Sequence, residues 1–198
     1  MNNQSTSHLF MIEPESFYGN EQTASSNHYQ INDIDESPEE IASKALNEFN
    51  NLKNAIKDRG IKVTSLKGSK DCPDHIFPNW FITFSDKTMQ IFSMMAPNRR
   101  LEKKPEMIEH LKKTYKLSAD FSYLEEKNIF LESTSSMVFD RANRCVYAGI
   151  SVRTNKDQLE LWCDDNNFEL VMFETESHSG SAIYHTDVLM YVGTEIIG

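Results

Sequence analysis

SMVFDRANRCVYAGI, residues Ser136–Ile150, decides the reading of this chain. Ser136–Phe139 is strand-like, Asp140–Asn143 carries the polar residues of a turn, and Arg144–Ile150 is strand-like again. A loop with Arg153 follows, then helical spacing over Lys156–Asn166 and a closing strand over Phe168–Phe173. The same order occurs once before. Ile76–Phe84 reads as a strand, Ser85-Asp86-Lys87 as a turn and Thr88–Met94 as a strand. A loop with Pro97, Arg99 and Arg100 leads to a helix over Glu102–Tyr115 and a strand over Leu117–Phe121. Arg99 and Arg153 recur 54 positions apart, and Asp74, Glu132 and His185 follow at intervals of 58 and 53. A period near 50 residues is what repeat architectures show, propellers included. The spacing therefore predicts α/β units of strand, strand, helix and strand.

Outward from this pair, Ala182–Val192 reads as the first strand of another unit, with Gly193-Thr194 as its hairpin turn and Glu195–Gly198 opening the second strand. Toward the N-terminus, Met1–Ser7 is polar and expected to fray, and His8–Ile12 is a candidate strand. Glu13–Glu36 reads as a long polar loop. Ser37-Pro38-Glu39-Glu40 then supplies an N-cap, a proline at the first helical position and an acid three residues after the cap. Ile41, Ala45, Phe49, Leu52 and Ile56 continue that helix, Gly60 ends it, and Ile61–Leu66 is a strand.

With 198 residues and 39% hydrophobic content, the chain can bury a core of useful size. Its formal charge of −10 opposes a nucleic-acid partner but does not oppose a small cationic substrate. Three widely spaced cysteines, Cys72, Cys145 and Cys163, make neither a disulfide framework nor a zinc site, and point to a reducing cytoplasm. The first residues lack the basic start and apolar stretch of a secretory signal. No apolar run approaches the ~20 residues that span a bilayer, so no membrane partner is expected.

Several residues could carry chemistry, and each also has an ordinary structural reading. His185 and Asp187, two apart on an expected strand, project from one face. Such an imidazole–carboxylate pair suits proton transfer, or is a plain surface pair. Glu132 ends the apolar stretch Ile129–Leu131 and faces either a pocket or solvent. Asp74 precedes the aromatic-rich run from Ile76 as a site acid or a turn cap. Arg99 or Arg100, and Arg153, present planar forks that match a substrate carboxylate, or are solvated loop charges. Cys145 and Cys163 read as packing residues. If the repeats close on a shared hollow, Asp74, Glu132 and Asp187 converge there as partners for a guanidinium.

The ordered segments Pro73–Phe81, Met95–Glu102, Phe130–Thr134, Ser151–Thr154 and Tyr184–Val188 together resemble the amidinotransferase and arginine deiminase superfamily of guanidino-group-modifying enzymes, nearest its citrulline-utilisation hydrolase subgroup. Met11–Pro14 and Asn20–Thr23 resemble its N-terminal motif. The resemblance implies an incomplete pentein-type α/β propeller of ββαβ units, about three of five blades, forming one domain over residues 1–198. It implies hydrolysis of C–N bonds in guanidino or ureido amino acids, such as arginine or citrulline, through a covalent cysteine intermediate. By motif, Glu132 and His185 would be the acid–base pair, Asp74 and Asp187 would hold substrate nitrogens, and Arg153 with Arg99 would bind the substrate carboxylate. No metal or cofactor is implied. The family cysteine would lie beyond Gly198, so this chain is expected to be truncated and inactive alone, with its open blade edge offering a route to homo-oligomers. The chain departs from the family at Ser133 and Ser135, where glycines are usual, and in having one Asn before Trp80 rather than two. The other readings are a non-catalytic binder of arginine-like ligands and an interaction protein built on the same fold.

Overall fold

The computed structural model describes residues 4–30, 36–178 and 180–198. The expected fraying over Met1–Ser7 and the loop over Glu13–Glu36 fall partly on residues 1–3 and 31–35, outside the described residues. The chain divides into two compact units. The larger comprises residues 4–5, Asn79–Met95 and Ile108–Gly198; the smaller comprises Thr6–Pro78 and Ala96–Met107.

In the larger unit the sequence repeat becomes two sheets of one design. β3 (Phe81–Thr83) pairs antiparallel with β4 (Thr88–Ile91), and β4 pairs parallel with β5 (Lys116–Asp120). β6 (Val138–Asp140) pairs antiparallel with β7 (Cys145–Gly149), and β7 pairs parallel with β8 (Glu169–Phe173). Both hairpins turn the same way: an aspartate side chain caps the turn, and the residue entering the second strand has a left-handed φ. Asp86 Oδ1 accepts the Thr88 N–H at 2.9 Å while Lys87 has φ 66°. Asp140 Oδ1 accepts the Asn143 N–H at 2.9 Å while Arg144 has φ 55°. The helix of the second repeat, α5 (Lys156–Asp165), is N-capped by Asn155. Its Trp162 lies among Phe92, Phe139 and Phe168 at ring separations of 5.7–5.9 Å. The indole N–H donates to Gln90 Oε1 at 2.7 Å, so strand β4 of one repeat and helix α5 of the other share one core.

In the smaller unit β1 (His8–Glu13) and β2 (Lys62–Lys67) run parallel, in register from His8 with Lys62 to Glu13 with Lys67. The connection is α1 (Pro38–Asp58), as parallel strands require. Its N-terminus is the expected capping box: Ser37 Oγ accepts the Glu40 N–H and Glu40 Oε2 accepts the Ser37 N–H at 2.9 Å. Gly60, at φ 77°, lets the chain leave the helix. The short helix α2 (Pro97–Arg100) belongs to this unit, and α3 (Pro105–Lys112) starts in it and continues in the larger one.

Several expected elements are corrected. The strand expected from Ile76 begins only at Phe81, because Cys72–Phe77 forms successive turns and Pro78 follows. The strand expected through Met94 ends at Ile91. The arginine loop at 97–100 is the helical turn α2, with Pro97 at its first position. The helix expected from Glu102 starts at Pro105. β6 begins at Val138, because Ser133–Ser136 forms the short helix α4. Of the strand expected over Ala182–Val192, only Val192 lies in one. Thr186–Val188 is a 3₁₀ turn, drawn in by Thr186 Oγ1, which donates to Ser136 O at 2.7 Å and accepts the Gly149 N–H at 2.9 Å. The terminal hairpin does form, from β9 (Val192–Gly193) and β10 (Ile196–Ile197), with Glu195 at φ 66° in its turn.

Candidate functional site

The larger unit brings Glu132, Arg153 and His185 together, and all three are buried. Glu132 sits just before α4, after an apolar stretch that buries Leu131. Its Oε2 is 2.6 Å from His185 Nε2, and its Oε1 accepts the Met95 N–H at 2.9 Å. An ionised carboxylate only accepts, so Nε2 carries the proton when Glu132 is charged. Arg153 Nη1 lies 3.7 Å from the same Oε2, an ion pair that balances a carboxylate with no exposure to solvent. Ser136 ties the group to its scaffold, accepting the Glu132 N–H at 3.0 Å and donating to Arg153 O at 2.9 Å.

His185 and Asp187 do not share a strand face as expected. His185 has extended backbone angles and Asp187 lies in the turn that follows. Both still meet the Glu132–Ser136 segment: His185 reaches Glu132, and Asp187 Oδ2 accepts from Ser135 Oγ at 2.8 Å. Ser135 stands where the family usually has glycine, and its hydroxyl orients a carboxylate. Ser133, the other such position, has φ 44°, a left-handed angle that glycine tolerates best. Its hydroxyl donates to Phe81 O at 2.8 Å, offsetting part of that strain.

Asp74 and Arg99 belong to the smaller unit and are linked there. Arg99 is buried; its Nε donates to Glu102 Oε1 at 2.8 Å and its Nη2 to Glu102 Oε2 at 3.2 Å. The same Nη2 donates to the carbonyls of Asp74, at 3.3 Å, and Phe77. Its fork is therefore committed to Glu102 and to the turn that carries Asp74. The Asp74 carboxylate accepts from Asn20 Nδ2 at 2.7 Å, and Asn98 Nδ2 donates to Asn20 Oδ1 at 2.8 Å. Sequence reading missed the Asn20–Asn98 amide pair and the seat Ser135 gives Asp187. Asn20 sits in a segment whose motif was legible, but its partners lie 54 and 78 positions away. The Arg99–Glu102 pair had a local signal in its spacing of three within a helical turn.

The three cysteines are buried, and burial raises each thiol above its ordinary range, Cys163 to about 12. A nucleophilic thiolate needs the opposite, an electropositive and accessible setting. Among the described residues no group of three His, Cys, Asp or Glu side chains is arranged to hold a metal, and no helix is long and apolar enough to cross a membrane.

The ββαβ repeats are those of a pentein-type, partial propeller-like fold. The chain belongs to the N,N-dimethylarginine dimethylhydrolase family, eukaryotic type, matched over residues 13–197. It thereby falls in the amidinotransferase and arginine deiminase superfamily that its motifs resemble. Among solved structures it is similar to the N-terminal domain of ArgZ bound to substrate, an arginine dihydrolase from the ornithine-ammonia cycle in Cyanobacteria. That likeness has a TM-score of 0.67 at 17% identity and covers 92% of this chain and 62% of that one. The ternary complex of AgrE with ornithine and NAD+ has a TM-score of 0.71 at 16% identity, covering 97% of this chain and 26% of that one. A dimethylarginine dimethylaminohydrolase adduct with S-methyl-L-thiocitrulline has a TM-score of 0.60 at 18% identity, covering 87% and 63%. No curated protein matches the chain in sequence. The chain thus spans under two thirds of the length of each of these structures, and the likeness carries the fold.

Proposed function

We propose that this chain carries the acid–base and guanidino-binding parts of a hydrolase that cleaves C–N bonds of guanidino or ureido amino acids, arginine- or citrulline-like. The observation that carries this reading is the buried 2.6 Å contact between His185 and Glu132 beside Arg153. A buried imidazole held by a carboxylate is suited to move protons at neutral pH. In the reaction a thiolate adds to the guanidino carbon. His185 protonates the departing nitrogen as the C–N bond breaks, leaving a covalent C–S intermediate. His185 then takes a proton from water, whose oxygen replaces sulfur and releases the thiolate. Glu132 keeps the imidazole oriented and stabilises its charged form. Asp187, seated by Ser135, and Asp74, seated by Asn20, hold substrate nitrogens, and Arg153 binds the substrate carboxylate. Arg99 contributes by fixing the turn that bears Asp74.

The nucleophile in this proposal is none of Cys72, Cys145 and Cys163, whose burial and raised thiols are unsuited to attack. These 198 residues alone are then inactive, and turnover belongs to an assembly that supplies an accessible thiolate. The proposal takes residues 1–198 as one guanidino-group-modifying domain, a reading supported by the family match over residues 13–197. A cytoplasmic setting and self-association through an open sheet edge complete the proposal. The same cysteine burial favours a second reading, a non-catalytic binder of arginine-like ligands. Calorimetry of the chain with L-arginine, dimethylarginine and L-citrulline, with L-norleucine as control, tests the shared part. Heat with a guanidino or ureido ligand, lost in Glu132→Gln, supports it; no heat with any of them sinks both readings. Release of ammonia or dimethylamine by a form with an accessible cysteine separates enzyme from binder.

A further inference from the structure

Strand β6 pairs with β7 on one side, and among the described residues no strand pairs with its other side. An uncovered strand edge is a row of backbone donors and acceptors open to another chain. On β6 that side includes the Phe139 carbonyl and, just past the strand, the Arg141 N–H, and the side chain of Gln4 takes both. Gln4 Nε2 donates to Phe139 O, and Gln4 Oε1 accepts the Arg141 N–H at 2.7 Å and the Ala142 N–H at 3.3 Å. A carboxamide carries the donor and the acceptor of a peptide unit, so Gln4 stands in for one residue of a neighbouring strand. It does so from 135 positions away, within the larger unit.

The groups that Gln4 occupies are self-complementary. In an antiparallel pairing of β6 with β6 of a second copy, centred on Asp140, each Phe139 carbonyl accepts the other copy's Arg141 N–H. An amide N–H has one hydrogen, and a paired strand comes within about 4.8 Å, so Gln4 and a second copy cannot share the edge. The same pairing sets the two Asp140 residues directly opposite, where like charges repel. Beside the edge lies a groove of about 510 Å³, lined by Gln4, Asp140, Asn143, Val192, Ile196 and Ile197. Ile196 and Ile197 are exposed and give an added strand an apolar bank. We infer that the β6 edge is a pairing surface for a second copy of this chain, held shut by Gln4 and by the Asp140 charge. The inference rests on the proposed self-association for its partner, names the edge concerned, and is independent of the guanidino chemistry.

Two substitutions open the edge in steps. Gln4→Ala removes the amide. Asp140→Asn removes the charge and keeps an oxygen for the Asn143 N–H, so the turn stays capped. Sedimentation velocity from micromolar to millimolar chain reads association, and amide hydrogen exchange reads which edge is used. In dilute Gln4→Ala the Arg141 and Ala142 N–H groups are expected to exchange on the order of tenfold faster than in wild type, the effect of losing one hydrogen bond. The double variant Gln4→Ala/Asp140→Asn is expected to dimerise as it is concentrated, with Arg141 protection returning in step. Gln4→Ala should need a higher concentration, and Asp140→Asn alone should match wild type because Gln4 still fills the edge. Arg141 exchange unchanged in Gln4→Ala overturns the guarding role. A double variant that stays monomeric, or dimerises with Arg141 still unprotected, overturns the pairing surface. Wild-type association through another edge leaves Arg141 exchange independent of concentration, so the broader self-association proposal and this inference fail or stand separately.

Discussion

Glu132 Oε2 and His185 Nε2 lie 2.6 Å apart although 53 positions separate the two residues, and neither side chain is open to solvent. Contacts of this kind are costly to break from one side. Glu132→Ala leaves His185, the Arg153 guanidinium and the Met95 N–H buried without that carboxylate. The expected loss is about 3–5 kcal/mol of folding stability. Glu132→Gln keeps an oxygen for the Met95 N–H and is expected to lose less, about 1–3 kcal/mol. Urea unfolding followed by tryptophan fluorescence measures both; a Glu132→Ala midpoint equal to wild type would remove the pair from the core.

His75 is predicted to make the smaller unit sensitive to acid. The ring is buried, and neither nitrogen has a hydrogen bond of good geometry; a weak backbone contact at Glu102 offsets little of the burial. Burial first, then the nearby Lys104 and Arg99 charges, push its pKa from 6.5 down to about 4. The folded state therefore favours the neutral ring. As pH falls through 6.5 the unfolded chain takes up a proton that the folded chain refuses. Stability is lost from there down to about pH 4, by about 2–3 kcal/mol. His75→Leu removes this contribution. Urea midpoints at pH 7 and pH 4.5 should converge in the variant relative to wild type; equal acid loss in both chains rules the assignment out.

The cysteines are predicted to be unreactive in the native chain. All three are buried with raised thiol pKa values, so an aromatic disulfide reagent at pH 7.5 should label them only at the rate of unfolding. Denatured chain should release three equivalents at once. A fast native equivalent at any of them would reopen the question of the nucleophile.

Ser133 is predicted to tolerate glycine better than alanine. Ser133→Ala keeps the left-handed φ of 44° and loses the hydrogen bond to Phe81 O, at an expected cost of about 1–2 kcal/mol. Ser133→Gly loses the same bond but relieves the backbone, so the two effects nearly cancel. Thermal melts that rank alanine at or above glycine would contradict this account.

At the start of α1, Ser37→Ala removes the side chain that caps the Glu40 N–H and is expected to cost about 1 kcal/mol. Amide exchange confined to the first turn of α1 is the check. Unchanged protection there would mean that the capping box contributes nothing measurable.

The parts of the fold that were legible in advance are those set by near neighbours. The capping box at Ser37–Glu40 closes over three residues, Gly60 ends α1 by its own backbone freedom, and Asp86 and Asp140 cap their hairpins within three residues. The ββαβ order was legible because strand and helix periods are properties of consecutive side chains. The segments at 76–80 and 182–191 have the apolar content of strands, yet lie in turns and coil. Arg99 holds the first from 22 positions away, and Thr186 ties the second to Ser136 from 50 positions away.

The candidate site divides along the same line. Residue type and motif order marked Glu132, Arg153, His185, Asp187, Asp74 and Arg99 as carriers of guanidino chemistry, since carboxylates, an imidazole and arginines are the groups that chemistry uses. Tertiary structure decided how they pair: Glu132 with His185, Asp187 with Ser135, Asp74 with Asn20, and Arg99 with Glu102. It also buried the three cysteines, of which sequence alone had marked Cys145 and Cys163 as packing residues. Local patterns determine which face and period a segment has, because those depend on backbone geometry over a few residues. Which acid meets which base depends on the packing of α4 against the turn at Thr186–Val188, a contact that only the folded chain makes.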